Sequence, residues 1–251
     1  MEVHVEIAAP TLFRLFGLAV TNAVFTGWLV SLVLIALAVA ATRNMALVPG
    51  RLQNVAELVV EQFLEIGAQT ADASRARRFL PIAATAFLFI LTANWMGILP
   101  LFGEGELYVQ RGSEQVNVLR SANSDLNVTA AMALIVFFVV EFIGFRSGGL
   151  AYAKEFIWPG LLIEVISHLA RPVALALRLF GNILAGEILL IVMGSLVPIL
   201  VPAFFLGFEM FVGIVQALIF ALLTLAFLSM STAHEAAHQL AEEAGEGATH
   251  H

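Results

Sequence analysis

Residues 126–145 read LNVTAAMALIVFFVVEFIGF, twenty positions with a single charge among them. About 20 apolar residues in a helix cross the hydrocarbon of a bilayer. No water reaches a backbone there, so every N–H and C=O must be paired within the segment or around a closed barrel. The run is continuously apolar rather than alternating, and at this length it predicts a helix. Residues 20–41 and 81–102 repeat the pattern, and two longer apolar runs follow at 156–196 and 201–230. A chain with five such stretches has to be counted in membrane segments.

Composition agrees with that count. Hydrophobic residues make up 60% and charged residues 12%, against about 25% charged in a soluble domain. There is no cysteine, which excludes disulfides, thiolate metal sites and cysteine nucleophiles together. The net charge of −7 comes largely from the termini and loops and gives no reason to expect a nucleic-acid partner. The N-terminus lacks a charged region followed by an apolar core and a small-residue cleavage site, so no cleaved signal is expected.

The connecting segments divide the chain further. Residues 49–78 are polar and amphipathic, with Glu57, Glu61 and Glu65 in one stripe and Val55, Leu58, Val59, Phe63 and Ile66 on other faces. Such a segment lies at the interface rather than crossing it. Residues 103–125 are a polar loop in which a short hairpin fits. Residues 232–251 are a polar tail. The first long run measures about 60 Å as a helix and the second about 45 Å, against about 30 Å of hydrocarbon. Pro172 can kink the first, and steep tilt accommodates both. We expect two long tilted helices over 156–200 and 201–231. The fold class is therefore an all-α membrane protein of about five membrane-embedded helices plus an interfacial amphipathic helix.

Arg43, Arg51, Arg75, Arg77 and Arg78 lie between the first two spans, and Arg146 and Lys154 follow the third. The loop between spans two and three has Arg111 and Arg120 against Glu104, Glu106, Glu114 and Asp125. The positive-inside rule puts the Arg43–Arg78 side in the cytoplasm, the N-terminus outside and, after two further crossings, the C-terminus in the cytoplasm.

Within the long runs the polar residues are few. Arg178 sits among Leu175, Leu177, Leu179 and Phe180. A charge near a bilayer centre costs about 3 kcal/mol on insertion scales, and arginine does not shed its charge. On an ideal helix Glu164, Arg171, Arg178 and Asn182 share one face, while Glu187 points the opposite way. The last run carries Glu209 and Gln216, seven apart and on one stripe. Glu141 sits near the cytoplasmic end of its span, within reach of the interface, and reads as structural. The bland alternative is a set of paired charges locking two helices. Ionisable groups in a membrane are functional by default, which favours an ion path.

The stretch RPVALALRLFGNILAGE, with Gln216 in QALIFALL about thirty residues on, resembles subunit a of the F-type ATP synthase. LLIEVISHLARPVAL, TANWMGILP and SANSDLNVTAAMAL support the resemblance, which covers most of the chain from about Pro49 to Met230. It implies that Arg178 is the stator arginine facing the carboxylates of a rotating c-ring, with the two long helices tilted against that rotor. It also implies that Asn182 and Gln216 are polar neighbours of the arginine. Glu187 and Glu209 would line the outer half-channel, with Glu164 and His168 near the cytoplasmic exit. Implied partners are the c-ring, the b-type subunits of the peripheral stalk and the lipid bilayer. The implied location is a bacterial inner membrane. No cofactor, metal or catalytic site of the chain's own is expected. Two departures stand out. Members commonly carry one carboxylate and one histidine at the 187 and 209 positions, where this chain has two glutamates. Gly97 replaces an acid that some bacterial members carry.

Two other classes compete. His234, Glu235 and His238 match H-E-x-x-H, the zinc-protease pattern, but the short tail offers only further glutamates and the terminal histidines as a third ligand. A secondary ion transporter also buries charge, yet such proteins usually show internal repeats, and none is visible here.

Overall fold

The computed structural model describes residues 9–70, 73–98, 108–111, 114–155, 161–196 and 200–232. The described chain opens with a hairpin that the sequence did not announce. Strands β1 (Thr11–Leu15) and β2 (Leu18–Thr21) pair antiparallel, Leu15 opposite Leu18. Phe16 and Gly17 make the turn with φ of 51° and 86°, the left-handed pair that a two-residue hairpin demands. Phe16 at the tip is 98% exposed.

Helix α1 (Asn22–Thr42) starts where Thr21 Oγ1 accepts from the Val24 N–H at 3.3 Å. Only its first turns are buried, through Asn22, Ala23, Thr26, Gly27 and Val30. Its remaining apolar side chains, Leu32, Ile35, Leu37 and Val39, are exposed as lipid requires. Helix α2 (Arg51–Thr70) is the amphipathic segment and rests on helix α3 (Ala73–Ile98) through Phe63, whose ring lies 5.1 Å from that of Phe87.

Helix α3 begins at Ala73, inside the stretch that the sequence assigned to the interface. Its first residues, ASRARR, are good helix formers. Pro81 forfeits one backbone bond, to the carbonyl of Arg77, and the helix carries that loss. The portion apolar enough to cross is Arg77–Ile98. Strands β3 (Tyr108–Arg111) and β4 (Glu114–Asn117) form the hairpin in the polar loop. A single 3-10 turn, Ala122–Ser124, leads into helix α4 (Leu126–Glu155). This helix runs through Gly148 and Gly149, beyond the apolar span 126–145 read from the sequence.

Helices α5 (Leu161–Leu196) and α6 (Leu200–Ser231) are each continuous. Pro172 lies within α5 without ending it. At 1.5 Å per residue they measure about 54 and 48 Å. Among the described residues five helices are long and apolar enough to cross a membrane. Helix α6 is the centre of the bundle, lying against α3, α4 and α5. Phe79, Ile90, Leu179, Phe220 and Leu228 form a core there with essentially no exposure.

Candidate functional site

Two polar clusters lie on either side of Arg178 along α5. Toward the C-terminal end, Glu187 accepts from Arg120 Nη2 at 2.8 Å, the two side chains 27% and 15% exposed. Arg120 comes from the segment just before the 3-10 turn. The sequence had counted it only as a loop charge.

Glu209 on α6 reaches the same place through a glycine. A Cβ at position 186 would stand 2.5 Å from Glu209 Oε1 and 2.8 Å from its Cδ. Only a residue with no side chain lets the carboxylate lie so close to α5, one position from Glu187. Glu209 Oε2 is buried and has no hydrogen-bond partner. The two acids therefore differ. One is held by a guanidinium; the other keeps an unused oxygen.

One turn beyond Glu209 the polar path continues. Gly213 packs against Asn94 of α3, whose Nδ2 donates to the Gly213 carbonyl at 3.3 Å. Asn123 Nδ2 donates to Asn94 Oδ1 at 2.7 Å and to the Ile90 carbonyl at 3.4 Å, and Ser121 Oγ donates to the Ala93 carbonyl at 3.3 Å. Asn94, Ser121, Asn123, Ser124 and Asp125 are all buried, and Asn123 Oδ1 is a second buried acceptor without a partner. The TANWMGILP and SANSDLNVT stretches thus meet each other across α3, the 3-10 turn and α4. Gly97 also has its reason: a Cβ there would fall 2.6 Å from that of Ser121. An acid at 97 and this placement of Ser121 exclude each other.

Arg178 itself is exposed, on a face with Val173 and Leu177. Among the described residues no hydrogen bond or ion pair reaches it. Gln216 on α6 is buried to 7% exposure and Asn182 is half-buried. Neither is hydrogen-bonded to Arg178. Among the described residues the arginine has no partner, on a surface otherwise made for lipid or for another apolar protein.

Toward the N-terminal end of α5, His168 Nδ1 and Glu141 Oε1 are 2.6 Å apart, with side chains 9% and 13% exposed. The structure turns Glu141 onto α5. It remains near the end of the apolar stretch Leu126–Ser147, as its sequence position suggested, while α4 itself extends to Glu155. Arg171 lies with its guanidinium 5.1 Å above the Phe227 ring of α6, a cation–π contact. Glu164 belongs to α5, but its side chain is outside the described residues, as are His234, Glu235 and His238.

Sequence comparison identifies the family. The family described as ATP synthase A chain matches residues 24–229. ATP synthase subunit a 1 of Hahella chejuensis is 35% identical over 226 residues, 89% of each chain. ATP synthase subunit a of Gloeobacter violaceus is 35% identical over 231 residues, again 89% of each. ATP synthase subunit a 2 of Syntrophotalea carbinolica is 36% identical over 211 residues, 80% of this chain and 82% of the relative.

Proposed function

The chain belongs to the ATP synthase A chain family, and from that membership we propose which residues carry its protons. The subunit translocates protons through the membrane sector of the F-type ATP synthase. Its outer half-channel runs past Asn123, Asn94 and Arg120 to Glu187 and Glu209. Its inner half-channel leaves by His168 and Glu164. Arg178 stands between them, with Asn182 and Gln216 as the polar groups nearest in sequence and fold.

The carrying observation is the exposed Arg178 between two polar clusters, without a partner among the described residues. A permanent cation on a lipid-like face needs an anion from another chain, and a carboxylate on each subunit of a c-ring supplies one. A proton arriving by Glu209 neutralises a ring carboxylate, which then turns through lipid. At the other half-channel it meets water again and releases the proton inward. Arg178 favours the ionised carboxylate because an opposite charge stabilises it. It also repels any proton moving directly between the half-channels. Helices α5 and α6 exceed the hydrocarbon thickness and lie obliquely along the ring, so one face spans several ring subunits. The b-type stalk subunits hold the chain against rotation. Its place is a bacterial inner membrane, N-terminus outside and C-terminus in the cytoplasm, as the arginine distribution directs.

The test is Arg178→Ala in the complete complex reconstituted into vesicles. ATP-driven proton pumping and proton-driven synthesis are both lost while the complex still assembles. Normal coupled pumping overturns the assignment.

A further inference from the structure

The short contact between Glu141 and His168 has no role in the scheme above, which uses His168 alone. We propose that Glu141 is itself a proton-carrying residue, and that the Glu141–His168 pair is one station of the inner half-channel. The proposal rests on the half-channel reading and adds to it a residue on α4, a helix given no part in conduction so far.

Three observations carry it. The first is the geometry: Oε1 and Nδ1 are 2.6 Å apart across the α4–α5 contact, both side chains nearly buried. At that separation imidazole and carboxylate are joined by a short hydrogen bond, the geometry a proton transfer between them needs. The second is the surroundings. An open groove on the outer surface of the bundle adjoins the pair, walled by Phe137, Phe138, Phe142, Phe145 and Leu169, most of them exposed, with Glu141 and His168 as its polar residues. On its other side Glu141 shares a void of about 10 Å³ with Arg171, Pro172 and Phe227. The third is the backbone. Pro172 has no N–H, so the carbonyl of His168, four positions back, loses its usual helical donor. The turn beside the histidine thus has one helical backbone bond fewer than the rest of α5.

Glu141 from α4 and His168 and Arg171 from α5 are the ionisable groups that the described residues bring here; α6 contributes the Phe227 ring. A mere clamp has no need of them. A buried ion pair rarely stabilises more than apolar residues of the same volume. As a station the pair does what a hydrocarbon filling cannot. A proton bonds to His168 Nε2, the Nδ1–H bond breaks, and an O–H bond forms on Glu141 Oε1. That O–H then breaks to water on the cytoplasmic side, restoring the carboxylate, and the imidazole returns its remaining proton to Nδ1 by tautomer exchange. One proton enters and one leaves.

The experiment uses the complete complex in vesicles and measures proton flux during ATP-driven pumping. Three variants are compared: Glu141→Gln, the exchange Glu141→His with His168→Glu, and Glu141→Leu with His168→Leu. We expect the first and third to assemble and lose at least ~10-fold in flux, as removing a proton-transfer group does. The exchange restores most of it, since carboxylate and imidazole still touch. Wild-type flux in Glu141→Gln or in the assembled Leu–Leu variant overturns the proposal. So does an assembled exchange variant as slow as Glu141→Gln. If Glu141→Gln fails to assemble, the exchange and the Leu–Leu pair decide. Arg178→Ala, run beside them, separates the levels. Loss of pumping there with wild-type flux in the pair variants removes Glu141 alone. Retained pumping in Arg178→Ala removes the half-channel reading itself.

Discussion

Arg120 and Glu187 meet at 2.8 Å although 67 positions separate them in the chain. The contact ties the segment before α4 to the C-terminal half of α5, and it makes two acids that look equivalent in sequence unequal in space. Glu187 has its charge matched. Glu209, brought beside it by Gly186, has a buried oxygen with nothing to bond.

That inequality sharpens the expectation for the two carboxylates. Changing both to Gln should lower passive proton flux through the membrane sector by ~100-fold, the scale of lost acid–base transfer. Either single change should be milder, and Glu209→Gln the more severe of the two. Flux under an imposed potential decides it. Wild-type flux in the double variant means that protons enter by another route.

Arg120→Gln should slow the same flux, because it leaves a partly buried carboxylate without its cation, a loss of about 1.5–3 kcal/mol for a charged hydrogen bond. Arg120→Lys should recover part of it through charge alone. Equal flux in all three forms means that the ion pair is ornamental.

Gly186→Ala should be disruptive out of proportion to one methyl group. Its Cβ would stand 2.5 Å from Glu209 Oε1, the far end of a flexible side chain, so the carboxylate is displaced from α5 at little cost in stability. Gly207→Ala, where nothing lies within 4 Å of the added carbon, is the control. The proton flux of the two variants should diverge; matching flux counts against the close approach.

Arg178→Lys should also fail to couple, more gently than Arg178→Ala, since lysine can lose its charge when desolvated. Proton pumping by the reconstituted complex checks this. A lysine variant with full coupling shows that a permanent charge is not required.

The spans were legible because bilayer thickness writes itself into run length, and Arg178 because a charge in such a run stands out. Glu187, Glu209 and His168 came with the resemblance. What sequence could not supply were contacts between elements. An ideal helical wheel orders residues on one helix and knows nothing of its neighbour, so Arg120, Asn94 and Asn123 passed as loop or motif residues. Glu141 read as structural for a related reason: its contact with His168 lies between two helices. Gly97 looked like a missing acid, and the structure shows it making room for Ser121.

The continuity of α5 has an electrical consequence. His168 and Glu187 are nineteen residues apart, about 28 Å along an unbroken helix, with Arg178 near the middle. If each is in contact with water on its own side, nearly the whole transmembrane voltage falls across that one stretch of insulator. Every proton carried from one station to the other then collects about 2.3 kcal/mol per 100 mV. Because Pro172 does not break the helix, that stretch is a stiff spacer that keeps the two stations apart, and the work drawn per proton is set by the voltage across it.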